Sequence, residues 1–368
     1  MKKHFKFSMV SIAVSFFMAN QAGAANTWTE ARSDAMGGTG VAAGSYGSGA
    51  LINPALLAKS KPDDSVTVIL PSIGAQISDK DNLRDKIDDI SDDVNNYRST
   101  LNNINPVDLF NPSSPASLQV SSAAGDLADQ LDSLKGKTAS GKAGGGIAVS
   151  IPNDVLSVAF VAKANARARV SSYIDQGDID KLRLVEATPV AVFGVNPNDL
   201  KSKGYGRAAI VSDYGVAIAR QFDLSGVPVS VGITPKLQKT WLYNYTVSIY
   251  NFDSDDINSS RYRNDDTGFN VDAGLAADFG ENWTVGLTGQ NLFSRDIDTK
   301  EVDGVRDTYQ ISPVVTAGAA WHNDLVTLTA DGDLTETKGF KSEDTSQYVG
   351  VGAEVTPLSW LAVRAGYR

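Results

Sequence analysis

The chain has 368 residues, carries 43 Asp and Glu against 33 Lys and Arg for a net charge of −10, and contains no Cys. The acidic balance argues against a nucleic-acid binder held by phosphate contacts, and the missing Cys excludes disulfide frameworks, thiol chemistry and thiolate metal sites. Beyond the first 25 residues nothing approaches the roughly 18 consecutive apolar residues that a membrane helix needs, so any crossing of a membrane is made by strands.

At the N-terminus, Lys2, Lys3 and Lys6 precede an apolar run from Met9 to Met18 that only Ser11 and Ser15 interrupt, and Ala22-Gly23-Ala24 offers an A-x-A cleavage site. Residues 1–24 are therefore expected to be a signal peptide for export through the Sec pathway. The apolar core is too short to serve as a retained anchor, and no Cys follows it to accept a lipid. Removing three lysines leaves thirty basic residues against 43 acidic ones, near −13.

Residues 25–63 are dominated by small side chains. Ala35-Met36-Gly37-Gly38-Thr39-Gly40-Val41-Ala42 is followed by Gly44, Gly47 and Gly49, then by Asn53-Pro54-Ala55-Leu56-Leu57-Ala58. Such a chain can run close to surrounding walls and adopt turns closed to bulkier residues. Asn53 before Pro54 favours a turn, and Leu56 and Leu57 supply a short apolar anchor.

An alternating stretch at about 64–77 predicts the first strand. The rhythm then changes: Leu83, Ile87, Ile90, Val94, Tyr97 and Leu101 recur at spacings of four and three, with Asp85, Lys86, Asp88, Asp89, Asp92 and Asp93 on much of the other face. A second helix is expected at about 118–134, where Leu127, Leu131 and Leu134 share a face, and Pro106, Pro112 and Pro115 separate the two. This helical insert, 79–135, reads either as a hairpin packing on itself or as a surface that docks another envelope protein.

From there the period is two. Strands are predicted near 142–151, 155–171, 207–221, 227–249 and 269–279. In the second of these, Leu156, Val158, Phe160, Ala162, Ala164, Ala166, Ala168 and Val170 alternate with Ser157, Lys163, Asn165, Arg167 and Arg169. The stretch 172–205 becomes a long loop, its apolar piece Ala187 to Val195 included. Alternation alone also describes a secreted sandwich. The connections favour an antiparallel transmembrane β-barrel: joins at Pro152 to Asp154, Gly280 to Asn282, His322 to Asp324 and Thr356 to Ser359 are short, while Ser294 to Arg306 and Thr335 to Ser346 are long and polar. Trp283, Trp321 and Trp360 each lie beside a short turn, as an interfacial aromatic girdle would. Counting directions gives about eleven strands, the last running outward and stopping at Arg368; a bacterial barrel normally has an even number and ends inward, so one or three strands are expected to be lacking here.

The all-β barrel (64–368) therefore carries an N-terminal hatch or plug (25–63) and the insert. Arg167 and Arg169 are expected in the lumen, with Asp213 or Asp272 as candidate partners. No catalytic constellation is visible: His322 is the one His after the leader, and no nucleophile stands with a base. Gly38 to Ala43 and Gly204 to Ala209 match G-x-G-x-x-A but lack the βαβ context of a dinucleotide site. Asp253, Asp255 and Asp256 suggest calcium, yet Asn258 and Asn264 stand where an EF-hand loop needs Gly and Glu. No cofactor or metal is expected.

The motifs over residues 31–58 resemble the mature N-termini of the FadL-like outer-membrane transport proteins, and among them most closely the β-barrel type of TraF conjugal transfer proteins; 356–368 is similar as well. The resemblance implies a plugged barrel of about fourteen strands when complete, in the outer membrane of a Gram-negative bacterium, in contact with its lipid and taking up small hydrophobic molecules passively. It implies that Gly37, Gly38 and Gly40 with Asn53, Pro54 and Ala55 belong to the hatch that gates the pore. The alternative from another class is a structural or docking component of a conjugal-transfer or other envelope assembly, with 79–135 meeting an envelope protein partner.

Overall fold

The structure, a computed structural model, describes residues 30–60, 64–153, 155–195, 200–251 and 259–368; the expected signal peptide and the acidic run 253–256 lie outside them. The alternating segments form strands β1 (Thr67–Ser78), β2 (Thr138–Ile151), β3 (Ser157–Tyr173), β4 (Lys203–Leu224), β5 (Val227–Ser248), β6 (Arg263–Phe279) and β7 (Trp283–Gln290). A short pair, β8 (Arg295–Asp298) and β9 (Thr308–Ile311), precedes β10 (Val314–His322), β11 (Val326–Asp333), β12 (Val349–Leu358) and β13 (Leu361–Tyr367).

Eleven of these strands make one antiparallel sheet in which each pairs with its neighbour in sequence, apart from β7 pairing β10 past the β8–β9 hairpin. Among the described residues the short joins are tight turns. Ser225 and Gly226 between β4 and β5 both have positive φ, 57° and 85°, the geometry whose twist matches that of the flanking strands.

The two faces of the sheet have opposite chemistry, and the polar one is buried. On β5, Ser230, Thr234, Lys236, Gln238 and Thr240 are buried, while Val231, Ile233 and Leu237 between them are 41%, 42% and 59% exposed. Register carries this across the neighbours: outward Leu237 stands beside Tyr214 and Phe269, inward Lys236 beside Gly215 and Asn270. This inverts the arrangement of a soluble sheet, whose apolar face is covered.

Helix α1 (Ala31–Ala35) and helix α2 (Tyr46–Ile52) lie in the N-terminal segment. The insert folds as α3 (Leu83–Asn103) and α4 (Pro115–Leu134), joined by a 3-10 turn at Pro106–Phe110. The expected stripes meet: Leu83, Ile90, Val94 and Tyr97 of α3 pack with Leu127, Leu131 and Leu134 of α4. The region 172–205 departs from its reading as irregular loop. It holds α5 (Gln176–Ala187), whose Ile179, Leu182 and Val185 join the same cluster, and a 3-10 helix at Pro189–Gly194. Asp175 starts α5 by accepting a 2.9 Å bond from the Gly177 N–H.

The connection from β7 to β10 also differs from a solvated loop. Ile297, Ile311 and Phe340 pack on Ala209 and Leu242, inward residues of β4 and β5, so the β8–β9 hairpin and the β11–β12 connection both fold over the polar side of the sheet. No helix among the described residues is long and apolar enough to cross a membrane.

Candidate functional site

The N-terminal segment runs across the inward face and touches nearly every strand. Three cross-strand glycine pairs make room for it: Gly232 with Gly274, Gly286 with Gly318, and Gly352 with Gly366. A Cβ on any of the six would come within 3.0 Å of the segment, against Ala55, Asn53, Val41, Val41, Met36 and Gly37 respectively. The sheet thus carries a slot shaped to this backbone, lying along β5, β6, β7, β10, β12 and β13. On the opposite side Gly47 and Leu51 rest against β1 and β2, and the Ser150 hydroxyl donates to the Gly47 carbonyl at 2.9 Å.

Polar clasps fix the segment in the slot. On β11, where the row of glycines is interrupted, the Asp331 carboxylate accepts from the Gly40 and Val41 N–H groups at 2.6 and 2.9 Å. The Tyr348 hydroxyl donates to the Gly37 carbonyl at 2.7 Å. Arg32 forks onto Glu354, two bonds of 3.0 Å each, and Arg364 pairs with the same carboxylate. Lys59 pairs with Asp278.

Asn53, Pro54 and Ala55 form the centre of this contact. Asn53 is fully buried; its Nδ2 donates to the Val41 carbonyl at 2.8 Å and the Leu275 carbonyl at 3.1 Å, and its Oδ1 accepts from the Ala55 N–H at 3.1 Å. Pro54 then opens a 3-10 helix, Pro54–Lys59, that buries Leu56 and Leu57. Gly37 and Gly38 have φ of 74° and 82°, a reversal that only glycine makes without strain.

Beside the segment on the inward face lies a charge cluster. Lys236 Nζ is 2.8 Å from both Asp213 and Asp272, and Lys163 reaches the same two carboxylates at 3.9 and 3.4 Å. All four side chains are less than a tenth exposed. The partners expected for these aspartates were Arg167 and Arg169. Register corrects this: Lys163 is the residue opposite Asp213, and Arg167, four residues further along β3, reaches Glu343 at 3.3 Å instead. Asn291, with φ of 53° where the chain leaves β7, ties into the cluster through its Oδ1 to Lys236 and its N–H to Asp272, both 2.8 Å.

A cavity of about 500 Å³ lies at the helical end, between α3 and the ends of β3, β4 and β5. Leu83, Ile90 and Val94 line it on one side; Val170, Tyr243, Tyr245 and Val247 line it on the other. Its size and apolar walls suit a small ligand.

Residues 50–333 match the family model described as "F plasmid transfer operon, TraF, protein". The chain belongs to this TraF family. No curated protein matches it. Among solved structures, this TraF-family chain is similar to the TodX monoaromatic hydrocarbon channel, deltaS2 mutant, at 11% identity over 89% of this chain and 88% of that one, with a TM-score of 0.34.

Of the residues singled out in sequence, Gly37, Gly40, Asn53, Pro54 and Ala55 come together on the inward face of the TraF-family sheet, with Gly38 in the turn between them. Trp283 and Trp321 stand opposite each other at the short-turn end of β7 and β10, and Trp360, 75% exposed, sits in the turn between β12 and β13. Asp331, Glu354 and the wall glycines carry as much of the site and were not singled out. Their signal was present as glycine on the polar parity of successive strands. Among the described residues no group of three or more His, Asp or Glu is placed to hold a metal ion.

Proposed function

We propose that this TraF-family protein is an outer-membrane β-barrel, FadL-like in plan, that takes up small hydrophobic molecules passively with residues 30–60 as its hatch. The observation that carries this reading is the seated N-terminal segment: three glycine pairs and the Asp331 clasp hold it on the polar side of a sheet whose other side, below the helical end, presents exposed apolar residues. Strands can span a bilayer only where their backbone groups are paired and no edge is left open, so this reading requires the edges at β1 and β13 to be paired in the membrane. Trp283, Trp321 and Trp360 then mark the periplasmic interface, the helices stand at the outer end, and the apolar cavity under α3 is a receiving site for substrate.

In this mechanism ligand entry shifts the hatch in its slot, with Asn53 to Ala55 as the moving contact, and opens a path past it. Uptake of a labelled fatty acid into proteoliposomes tests it. Deleting residues 26–58 is expected to leave the pore permanently open, so that passage no longer discriminates among solutes; uptake and selectivity unchanged by the deletion would overturn hatch gating.

A second reading is favoured by the tip of the helical layer. Val107, Phe110, Leu118 and Phe193 are each more than half exposed there, and Phe110 and Phe193 lie 6.5 Å apart. An exposed apolar group of this kind fits an envelope protein partner in a conjugal-transfer assembly, with the barrel as anchor. Site-specific photocrosslinking from Phe110 in donor cells is expected to trap that partner. Normal DNA transfer from a strain lacking the protein would end this reading.

A further inference from the structure

Positive charge is concentrated on the inward rows of β2, β3 and β4. Register sets Lys142 directly opposite Arg167, and Arg169 directly opposite Arg207. Like charges placed directly across a strand pair destabilise it, and here two such pairs adjoin in a chain whose net charge is −10. Alternation asks only for polar residues at these positions, so the uniform sign needs an explanation of its own.

The connections that fold over this face supply part of it. The β11–β12 connection brings Glu343 to 3.3 Å from Arg167, and Asp307, just before β9, lies 2.9 Å from Arg207. The seat at Arg167 is close, since a Cβ on Gly339 would overlap its guanidinium. The same connection then adds a cation, Lys338, next to Gly339. Among the described residues no carboxylate pairs with Arg169 or with Lys338, so two positive charges on this face have no counterion from the protein.

Between the wall and these connections lies a second cavity, of about 160 Å³. Lys142, Asn165 and Arg167 line it from the wall, and Tyr309, Gln310 and Lys338 from the connections. The two acids in its lining are already engaged: Asp213 holds Lys236 and Gln238, and Asp333 accepts from the Thr316 hydroxyl and the Tyr348 N–H. Arg167 meets Glu343 through one nitrogen, so the other donors of its planar fork remain for the cavity. Gln290, also in the lining, donates to the Ile52 carbonyl at 3.2 Å, which sets the cavity beside the hatch. Its volume falls below the roughly 300–1,000 Å³ of pockets for drug-sized ligands and gives room for a compact ion, not for an acyl chain.

We infer that this inward-face cavity binds a compact oxyanion from solution, of the size and charge of phosphate or sulfate, held by the Arg167 fork, the Lys338 ammonium and the Asn165 amide, with Arg169 adding to the positive field beside it. The site is separate from the apolar cavity under α3 and does not rest on the uptake reading. It gives the polar face of the sheet a ligand of its own, next to the hatch.

Isothermal titration calorimetry of the full-length protein in detergent micelles, with inorganic phosphate as titrant at low ionic strength, tests the site. Saturable binding competed by sulfate is expected. Lys338→Gln should weaken it at least about tenfold, the loss expected for one charge-assisted bond, and Lys338→Arg should retain it. Asn165→Asp, nearly isosteric, puts a carboxylate in the lining and should abolish binding. Arg169→Gln should weaken binding at low salt and match the parent at high salt, as a screened field effect does. Arg220→Gln removes an exposed positive charge at the short-turn end of β4 and should leave binding unchanged. No saturable phosphate binding in the parent, or equal affinity in the parent, Lys338→Gln and Asn165→Asp, overturns the site. So does a loss in Arg220→Gln equal to that in Lys338→Gln, because general charge attraction then accounts for the binding.

Discussion

Asp331 bears on the hatch more than any other single wall residue, because one carboxylate oxygen holds two buried backbone N–H groups, those of Gly40 and Val41. Hydrogen bonds to an ionised acceptor contribute more than neutral ones, and removing the acceptor leaves both donors unpaired. Asp331→Ala is expected to cost about 2 to 3 kcal/mol in denaturant unfolding and to speed hydrogen exchange at Gly40 and Val41 before that of the wall. A second residue sets a pH dependence. Burial pushes the Asp34 carboxyl up from 3.8 to about 7, with Arg368 drawing it partly back and Glu30 adding to the rise. Between these values the folded protein keeps a proton that the unfolded chain has released, so this contribution is complete below about pH 4 and is lost as pH rises through about 7. Thermal unfolding at a series of pH values should show Asp34→Asn without that decline, and a variant that follows the parent's pH profile would count against it. Sequence made Asn53-Pro54-Ala55 visible as a local turn. It hid Asp331, 290 positions from its partner Val41, because only strand register brings the two together.

At the scale of elements, the charge cluster and Asn291 explain why the 291–313 connection folds inward. Lys236, Gln238 and Asp272 grip Asn291 as it leaves β7, and the hairpin beyond it lies on Ala209 and Leu242. Replacing one member of a buried ion cluster leaves uncompensated charge, which costs more than the cluster contributes over an apolar substitute. Lys236→Met is therefore expected to lose about 3–5 kcal/mol and to expose 291–313 to proteolysis ahead of the strands, whereas the double change Lys236→Met with Asp213→Leu should recover part of the loss. This inward fold was not legible as such, since a polar loop rich in Asp, Lys and Arg reads as solvated until the opposing lysines and aspartates are placed on one face. Helices α3 and α4 were legible from their apolar stripes. Helix α5 was not, because its stripe is only Ile179, Leu182 and Val185, short beside the stronger apolar run Ala187 to Val195 that follows it.

For the molecule as a whole, alternation and short turns yielded the eleven-stranded antiparallel sheet, because both are local properties of the chain. The glycine slot was missed although it is written in the same strands: the small residues of the N-terminal segment were noted, and the matching gaps in the wall were not. The membrane reading depends on the outward face, and that face has measurable dimensions. From Phe269 to Phe279 on β6 the outward positions are all apolar, a length of about 34 Å at 3.4 Å per residue. A tilt of about 40° reduces this to about 26 Å, close to the roughly 25 Å apolar band of outer-membrane barrels. Charge placed on that face should then cost most at mid-height. Arg at Ile233, well inside the band and flanked by Ala273 in register, is expected to lower refolding stability in lipid vesicles by about 2–4 kcal/mol, whereas Arg at Trp241, level with Asp265, should cost about 0–1 kcal/mol. A sheet whose outward face met water would show a flat profile, within about 0.5 kcal/mol at both positions. The depth dependence, more than either value alone, decides whether this face of the TraF-family sheet lies in lipid.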